Sequence, residues 1–456
     1  SSGCRCDSKL RCATRPPAQC RQLRAPDRGG LGMSRPELGD LQFWSRPAAE
    51  RDQAFAWLRA NEPVAFHQER SVIEGGRPGP GFWSITRHTD VREVNRLARV
   101  FSSAKGNTIT EWSPQKVELF GSMIAMDDPR HARMRRVVSG GFTPRMLAKL
   151  ETTVQEVARE ILDEVGPTGG CDFVTDIAAA LPLRIVCDLM GIPGSLYQHV
   201  FEQTNVILGV GDPEFVPPGV NRAQAVMDAG AALNAVMTDL AAVRRKNPTD
   251  DLTSTLLQAE VEGERLTDRE LGSFFNLLVA AGNETTRNAI SWGLVLLTQH
   301  PDQRRIWQSD FEAVAPTAVD EIVRYASPVI HFRRTVTADT EVGGQPVKKG
   351  DKVVMWYGSA NRDERVFDDP GTFDVTRSPN EHVGFGGGGP HFCLGANLAR
   401  REIRVMFEEL FRWLPDIAMT GEPDYLQSGF IHGIKRMTCE FTPTEIPRLE
   451  PLGDTL

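Results

Sequence analysis

The sequence predicts a mainly α-helical body with small β-sheets and one long helix through its centre. Three observations carry that expectation. Segments with helical periodicity dominate the chain. The strand-like stretches are few and short. One apolar pattern, from Thr267 to His300, persists for about 33 residues, or about 50 Å of helix.

Helical periodicity covers Ala48–Asn61, Arg130–Ser139, Pro144–Val165, Ile177–Met190, Gly219–Arg245 and Asp268–Gln299, and a further helix is expected from Ala396 to about Leu410. Strands are expected at Val64–Phe66, Phe82–Ile85, Arg334–Val336, Lys352–Tyr357 and Lys435–Phe441. Glu74–Gly81 reads as a Gly/Pro-rich surface loop. Thr267 and Glu270 form a capping-box pattern ahead of the long apolar run, and Pro301 stops it. Ala281, Gly282, Asn283, Glu284, Thr285 and Thr286 lie mid-run. Polar residues in a buried helix are costly unless satisfied, so this turn marks a functional site.

Composition narrows the function. The net charge of -8 argues against general nucleic-acid binding. No run of 18 apolar residues occurs, so no membrane span is expected. Four cysteines lie in the first twenty residues, and Cys171, Cys187, Cys393 and Cys439 are scattered. That is neither a disulfide framework nor a zinc pattern, and a reducing cytoplasm fits it. Residues 1–32 are rich in Arg, Pro, Gly and Cys and are expected to be a tail or upstream artefact. Residues 33–456 are expected to form a single domain, with Met33 as a natural start.

The strongest chemical signal is Phe385-Gly386-Gly387-Gly388-Gly389-Pro390-His391-Phe392-Cys393-Leu394-Gly395. Four glycines let the backbone approach a large planar group. The following helix presents its N-terminal amides to Cys393, which would favour a thiolate able to ligate iron. Taken alone, a buried free cysteine after a flexible turn is an even alternative. A phosphate loop fits poorly, because no Lys-Ser/Thr follows the glycines.

This loop resembles the haem-binding signature of the cytochrome P450 family, with Phe385 eight residues before Cys393 where most members have seven. Three further elements match that family in order. Ala281–Thr286 matches the oxygen-activation motif. Glu321 and Arg324 match its Glu-x-x-Arg pair, and Arg377 matches the arginine completing that structural ion network.

The resemblance implies a haem–thiolate monooxygenase with haem b (iron protoporphyrin IX) held by Cys393. Phe385, Gly387 and Gly395 would line the cofactor. His131, Arg135, Arg334 and His391 would meet its propionates. Glu284 and Thr285 would deliver protons, with Gly282 leaving room for O2. Electrons would come from a ferredoxin and its reductase, since the chain has no flavin, nicotinamide or iron–sulfur fingerprint. Arg133, Arg136, Arg400, Arg401 and Arg404 offer a basic face to such an acidic partner. The family further implies a cytoplasmic monomer.

Apolar wall residues are expected at Ile109, Leu208, Val279, Val329, Phe332 and Phe430. The runs Phe275–Asn288, Thr317–Ser327, His382–Val405 and Gly429–Gly433 resemble mycobacterial methyl-branched lipid omega-hydroxylases. That implies attack on terminal methyl groups of isoprenoid-like fatty acids or sterol side chains. A linalool-type terpene hydroxylase, a steroid 26-hydroxylase, a peroxygenase and a non-catalytic haem sensor are the alternatives.

Overall fold

Thr267 opens the central helix, Asp268–Gln299, with a complete capping box. Its hydroxyl accepts from the Glu270 N–H at 3.2 Å, and the Glu270 carboxylate accepts from the Thr267 N–H at 3.0 Å. The acids Asp268 and Glu270 also complement the positive end of the helix dipole. At the far end the His300 N–H bonds to the Leu296 carbonyl, and Pro301 begins the next helix, Pro301–Ser309. Between these ends the helix is buried on several faces. It packs against the helices Ala180–Met190, Arg222–Lys246, Phe311–Ala326 and Ala396–Trp413. Gly293 permits a close approach to the last of these. A Cβ there would stand 2.4 Å from the Phe407 ring.

The computed structural model describes residues 35–70, 78–140, 144–261 and 263–446. The described helices and sheets lie within one compact unit, Glu37–Leu456. The expected tail at 1–32 lies outside the described residues, as do residues 74–77 of the expected loop.

The largest sheet has five strands in the order Val64–His67, Phe82–Ile85, Lys352–Trp356, His331–Val336 and Phe101–Ser102. Its pairs are antiparallel except Phe82–Ile85 with Lys352–Trp356. Side chains alternate across a strand. Phe332 and Arg334 therefore share one face of His331–Val336, while His331 and Arg333 share the other.

Several expected elements have the expected bounds, including Ala48–Asn61, Arg130–Ser139, Pro144–Val165 and Asp268–Gln299. Others are corrected. The helix expected over Ile177–Met190 is a π-turn at Phe173–Ala178 followed by an α-helix at Ala180–Met190. The Asp172 side chain caps the turn by accepting from the Val174 and Thr175 N–H groups. The strand expected over Lys435–Phe441 is two strands, Ile434–Arg436 and Thr438–Glu440, in different sheets.

One described helix, Arg222–Lys246, is long and apolar enough to cross a membrane, which the apolar-run criterion missed because Asp228 and Asp239 interrupt it. Its Val226, Leu233, Met237 and Leu240 are buried, so one stripe belongs to the protein core.

Candidate functional site

The cysteine loop folds back on itself through three backbone hydrogen bonds. Gly386 N–H donates to Val383, Phe392 N–H to Gly389 and Cys393 N–H to Phe385, at 2.8, 3.2 and 3.0 Å. All four glycines have positive φ, 94°, 37°, 95° and 82° for Gly386 to Gly389. The run packs on the helix His88–Arg96. A Cβ at Gly389 would lie 2.3 Å from the Asn95 carbonyl oxygen, and one at Gly387 would meet Arg92 and Val383. Gly387 thus faces protein in this loop. Gly395 has nothing within 4 Å of its Cβ position. We expect Gly389→Ala to be among the worst conservative changes in the loop, because left-handed strain adds to a backbone collision. Cofactor content per folded chain, read by absorbance after purification, should fall severalfold. An unchanged ratio would count against this packing account.

Cys393 stands just ahead of the helix Ala396–Trp413 and receives a hydrogen bond from the Gly395 N–H. Cys393 is exposed on one side, yet the protein packed around it pushes its thiol up, against the opposing pull of Gly395, Arg135 and Arg400. The stabilisers expected from the sequence are present, but desolvation outweighs them in the unligated side chain. A thiol in this setting loses its proton on binding a metal.

Arg400 also lies over the Phe385 ring, 4.4 Å from its centroid. It is anchored by Asp320 at 2.7 Å, and Asp320 also holds His382 at 3.3 Å. Phe385 is therefore clamped by a cation whose anchor sits beside Glu321.

Four basic side chains from three elements converge beside this loop. Arg135 Nη2 donates to the Phe392 carbonyl at 2.7 Å. The His131 and His391 rings are 4.3 Å apart. His391 Nε2 is 3.1 Å from Ser103 Oγ. Arg334 is buried and donates from Nη1 to the Arg333 carbonyl. Burial pushes His391 down to about 2, helped by the positive charges of Arg334, His131 and Arg135. Burial also lowers His131, with Arg135 reinforcing and Asp128 opposing, and its Nε2 is buried without a partner. A desolvated, mutually repelling basic cluster with an orphaned ring nitrogen is suited to an anionic group. The two carboxylates of a haem, with its iron towards a soft sulfur ligand, fit this donor set.

The central helix opens one face here. Ala281 is exposed and Gly282 and Thr285 are half-buried, while Asn283, Glu284, Thr286 and Arg287 are buried. A Cβ on Gly282 would meet only Val186, at 3.1 Å. Thr285 Oγ1 donates to the Ala281 carbonyl at 2.7 Å.

Glu284 is placed differently from expectation. It is not a free acid beside Thr285. Its Oε1 accepts from Arg287 and from Asn288 Nδ2, and Arg287 also bonds to Asn205. Its Oε2 is buried and unpartnered.

The ion network is as its motif implies. Glu321 and Arg324 are fully buried and pair at 2.7 Å, with Arg377 at 3.2 Å from the same carboxylate.

Among the expected wall residues, Phe332 stacks on Phe430 with centroids 6.0 Å apart. Val329 bridges to Ile431 beside them. Leu208 ends the helix Tyr197–Leu208 half-buried. Two assignments are corrected. Val279 is fully buried in the main core. Ile109 packs with the N-terminal aromatic cluster around Phe43 and Trp356, and its carbonyl accepts from the buried Lys352. The arginines of the expected basic face each have partners. Arg133 pairs with Glu264 and Glu270, Arg400 with Asp320, and Arg404 with Glu312, while Arg136 and Arg401 are engaged too.

Sequence reasoning missed Glu402. This carboxyl is buried between the two site helices with the Thr286 hydroxyl as its hydrogen-bond partner, and its Oε1 has none. A glutamate on the apolar face with Leu398, Val405 and Leu410 was the available signal.

The family model described as cytochrome P450 matches residues 220–416. The chain is 51% identical over 404 residues to a methyl-branched lipid omega-hydroxylase of Mycobacterium tuberculosis, covering 88% of this chain and 93% of that one. It is 41% identical to a steroid C26-monooxygenase of Rhodococcus jostii, covering 85% of this chain and 81% of that one. Among solved structures, it is similar to a Mycobacterium marinum cytochrome P450 in complex with pseudoionone. The TM-score is 0.84 and the identity 42%, covering 92% of this chain and all of the other. With the cysteine loop, the basic cluster and the open turn of the central helix in place, the chain belongs to the cytochrome P450 family and is a monooxygenase that uses haem.

Proposed function

We propose that this monooxygenase hydroxylates the terminal methyl group of methyl-branched lipids, with isoprenoid-like fatty acids or sterol side chains as substrates. The observation that carries this reading is the 51% identity over 93% of a methyl-branched lipid omega-hydroxylase. The apolar pair Phe332 and Phe430 supports it. The cofactor would be haem b, with Cys393 as its axial ligand and Arg135, His131, His391 and Arg334 on its propionates. A ferredoxin and its reductase would supply electrons to a cytoplasmic monomer. The arginines facing such a partner already hold carboxylates, so docking would rest on short-range fit more than on net attraction.

When bound, the haem supplies reductive activation of O2. The chain's own residues then control protons and access. The Thr285 hydroxyl, released from the Ala281 carbonyl, can hold water or pass a proton on the open face. Glu284, paired with Arg287 and Asn288, holds this turn of the helix in place. Thr285→Ala should therefore cut product formation by roughly 10²-fold, the lower range for positioned proton transfer, with substrate affinity little changed. Turnover and binding spectra on the same preparation would check this. A matching loss of affinity would place Thr285 in substrate binding instead.

Two measurements test the reading as a whole. Reduced protein with carbon monoxide should give the thiolate-type Soret band, and Cys393→Ala should lose it. Persistence of that band in the variant would remove Cys393 as the ligand. Binding spectra and product analysis with a branched fatty acid, cholestenone and linalool should then rank the branched acid first, with the terminal alcohol as product. The pseudoionone complex of the marinum relative makes a terpenoid the second reading, and preferential turnover of linalool would install it.

A further inference from the structure

Cys171 and Cys439 face each other on neighbouring antiparallel strands, Gly170–Asp172 and Thr438–Glu440. Their Sγ atoms are 3.5 Å apart. The register pairs them directly, and the flanking hydrogen bonds fix the kind of pair. Phe173 N–H donates to Met437 and Phe441 N–H donates to Gly169, each two residues from the cysteines. By alternation the cysteines occupy a hydrogen-bonded position, where opposed Cα atoms stand about 5.5 Å apart. That lies within the Cα range of roughly 4.4–6.8 Å that a disulfide spans. The sulfurs, at 3.5 Å, already stand in contact across the pair.

The pair is also reachable. Access is through Cys171, which is half-buried, while Cys439 is buried beneath it; both border a shallow surface pocket with Thr168, Asp172 and Glu440. Among the described residues no other cysteine faces a second one. Cys187 is fully buried, with its thiol pushed up to about 12 by burial, and Cys393 belongs to the haem site. Within the pair, one thiol hydrogen-bonds to the other. That contact holds Cys439 down and Cys171 up, while Asp172 and Asp176 disfavour a second negative charge.

We propose that Cys171 and Cys439 form a reversible dithiol–disulfide pair, a modification site for a two-electron oxidant such as hydrogen peroxide. One thiolate attacks a peroxide oxygen, breaking the O–O bond, giving a sulfenic acid and releasing hydroxide. The second thiolate attacks that sulfur, forms the S–S bond and expels a second hydroxide. The two thiol protons convert both hydroxides to water. The sulfurs lose two electrons and the peroxide oxygens gain them. The link joins positions 268 residues apart. It ties the strand that leads into the π-turn Phe173–Ala178 to the strand that follows the Phe430 turn. The π-turn packs on the central helix, so the cross-link stiffens a support of the site without entering it.

The experiment uses the full-length, haem-loaded protein, reduced and then exposed to a small molar excess of hydrogen peroxide. Non-reducing digestion and mass spectrometry should find a Cys171–Cys439 peptide two hydrogens lighter than the sum of its parts. The melting temperature should rise by several degrees, because the closed loop is long. Dithiothreitol should reverse both changes, and Cys171→Ser and Cys171→Ala should show neither. Oxidation of Cys171 to a sulfinic acid with Cys439 untouched would overturn the proposal. So would cross-linking of either residue to a different cysteine, or no reaction at peroxide levels that oxidise other cysteines of the chain.

Discussion

Arg324→Ala should yield no cooperatively folding protein, while Arg377→Ala should fold and melt earlier than the parent. Arg324 is completely buried. Its Nε and Nη2 donate to Glu321 at 2.7 and 2.8 Å. Its remaining N–H groups reach the carbonyls of Asn361, Pro370 and Thr372 at 2.8, 2.9 and 3.1 Å. One guanidinium thus pins the helix Phe311–Ala326 to the run of turns that leads to the cysteine loop. Breaking a buried pair from one side costs about 3–5 kcal/mol, and the lower end applies here because Arg377 and Asn380 still donate to Glu321. The Asn361 and Pro370 carbonyls are stranded and add about 1–3 kcal/mol each, whereas Thr372 keeps its bond from Arg377. Their sum is comparable with the whole stability of a typical domain, about 5–15 kcal/mol. Arg377 lies at the edge, with 10% of its side chain exposed, so water can replace part of what it gives. Lysine at 324 would restore the charge but not the forked geometry, so Arg324→Lys should rescue little. Thermal unfolding of the three variants is the measurement. A sharp transition for Arg324→Ala within a few degrees of the parent would refute this account.

Glu402→Gln should make the protein more stable at pH 8 and change it little at pH 4. Burial pushes the Glu402 carboxyl up to about 8, with the Thr286 hydroxyl pulling weakly the other way. The sign follows from proton binding. Below the ordinary carboxylate value of 4.5 both folded and unfolded chains carry this proton. As pH rises towards 8 the unfolded chain releases it and the folded chain retains it. Stability therefore falls across that window, by an amount on the order of a few kcal/mol at its upper end. Glutamine keeps the shape and a hydrogen bond to Thr286 but does not titrate. The difference in melting temperature between variant and parent should grow steadily from pH 4 to 8. Parallel profiles would show that Glu402 is ionised in the folded protein. Glu409, seven positions along the same helix, shows the other way to bury an acid. Its carboxylate accepts from Arg159, Arg412, Gln155 and Trp413.

What the sequence made legible follows from the range of the forces involved. The central helix was readable end to end because its cap, stop and apolar periodicity are local. The cysteine loop was readable because consecutive glycines before a cysteine are rare and have a backbone reason. The basic cluster required the family's pattern, since His131, Arg334 and His391 are far apart in the chain and meet only after folding. The pairing of Glu284 with Arg287 was an ordinary i,i+3 possibility, and the participation of Asn205 from another helix was not visible. The wall residues were the weakest reading. A buried Val279 and a lining residue have the same local signature, and Ile109 turns towards a cluster built by residues near position 40. The strand over Lys435–Phe441 failed for a related reason. Its two halves pair with different partners, and partner choice is a tertiary fact.

The clamp on Phe385 has a consequence for how this protein varies. Asp320 belongs to the helix of the buried ion network, Arg400 to the helix behind the cysteine, and Phe385 and His382 to the loop approach. Four positions in three segments therefore form one coupled unit. Losing Asp320 releases Arg400, which uncovers Phe385, so later changes at any of them act on an already altered background. Among homologues these positions should drift together or not at all. Libraries that randomise them singly should record the site as fragile, and libraries that randomise them jointly should recover combinations that no single step reaches.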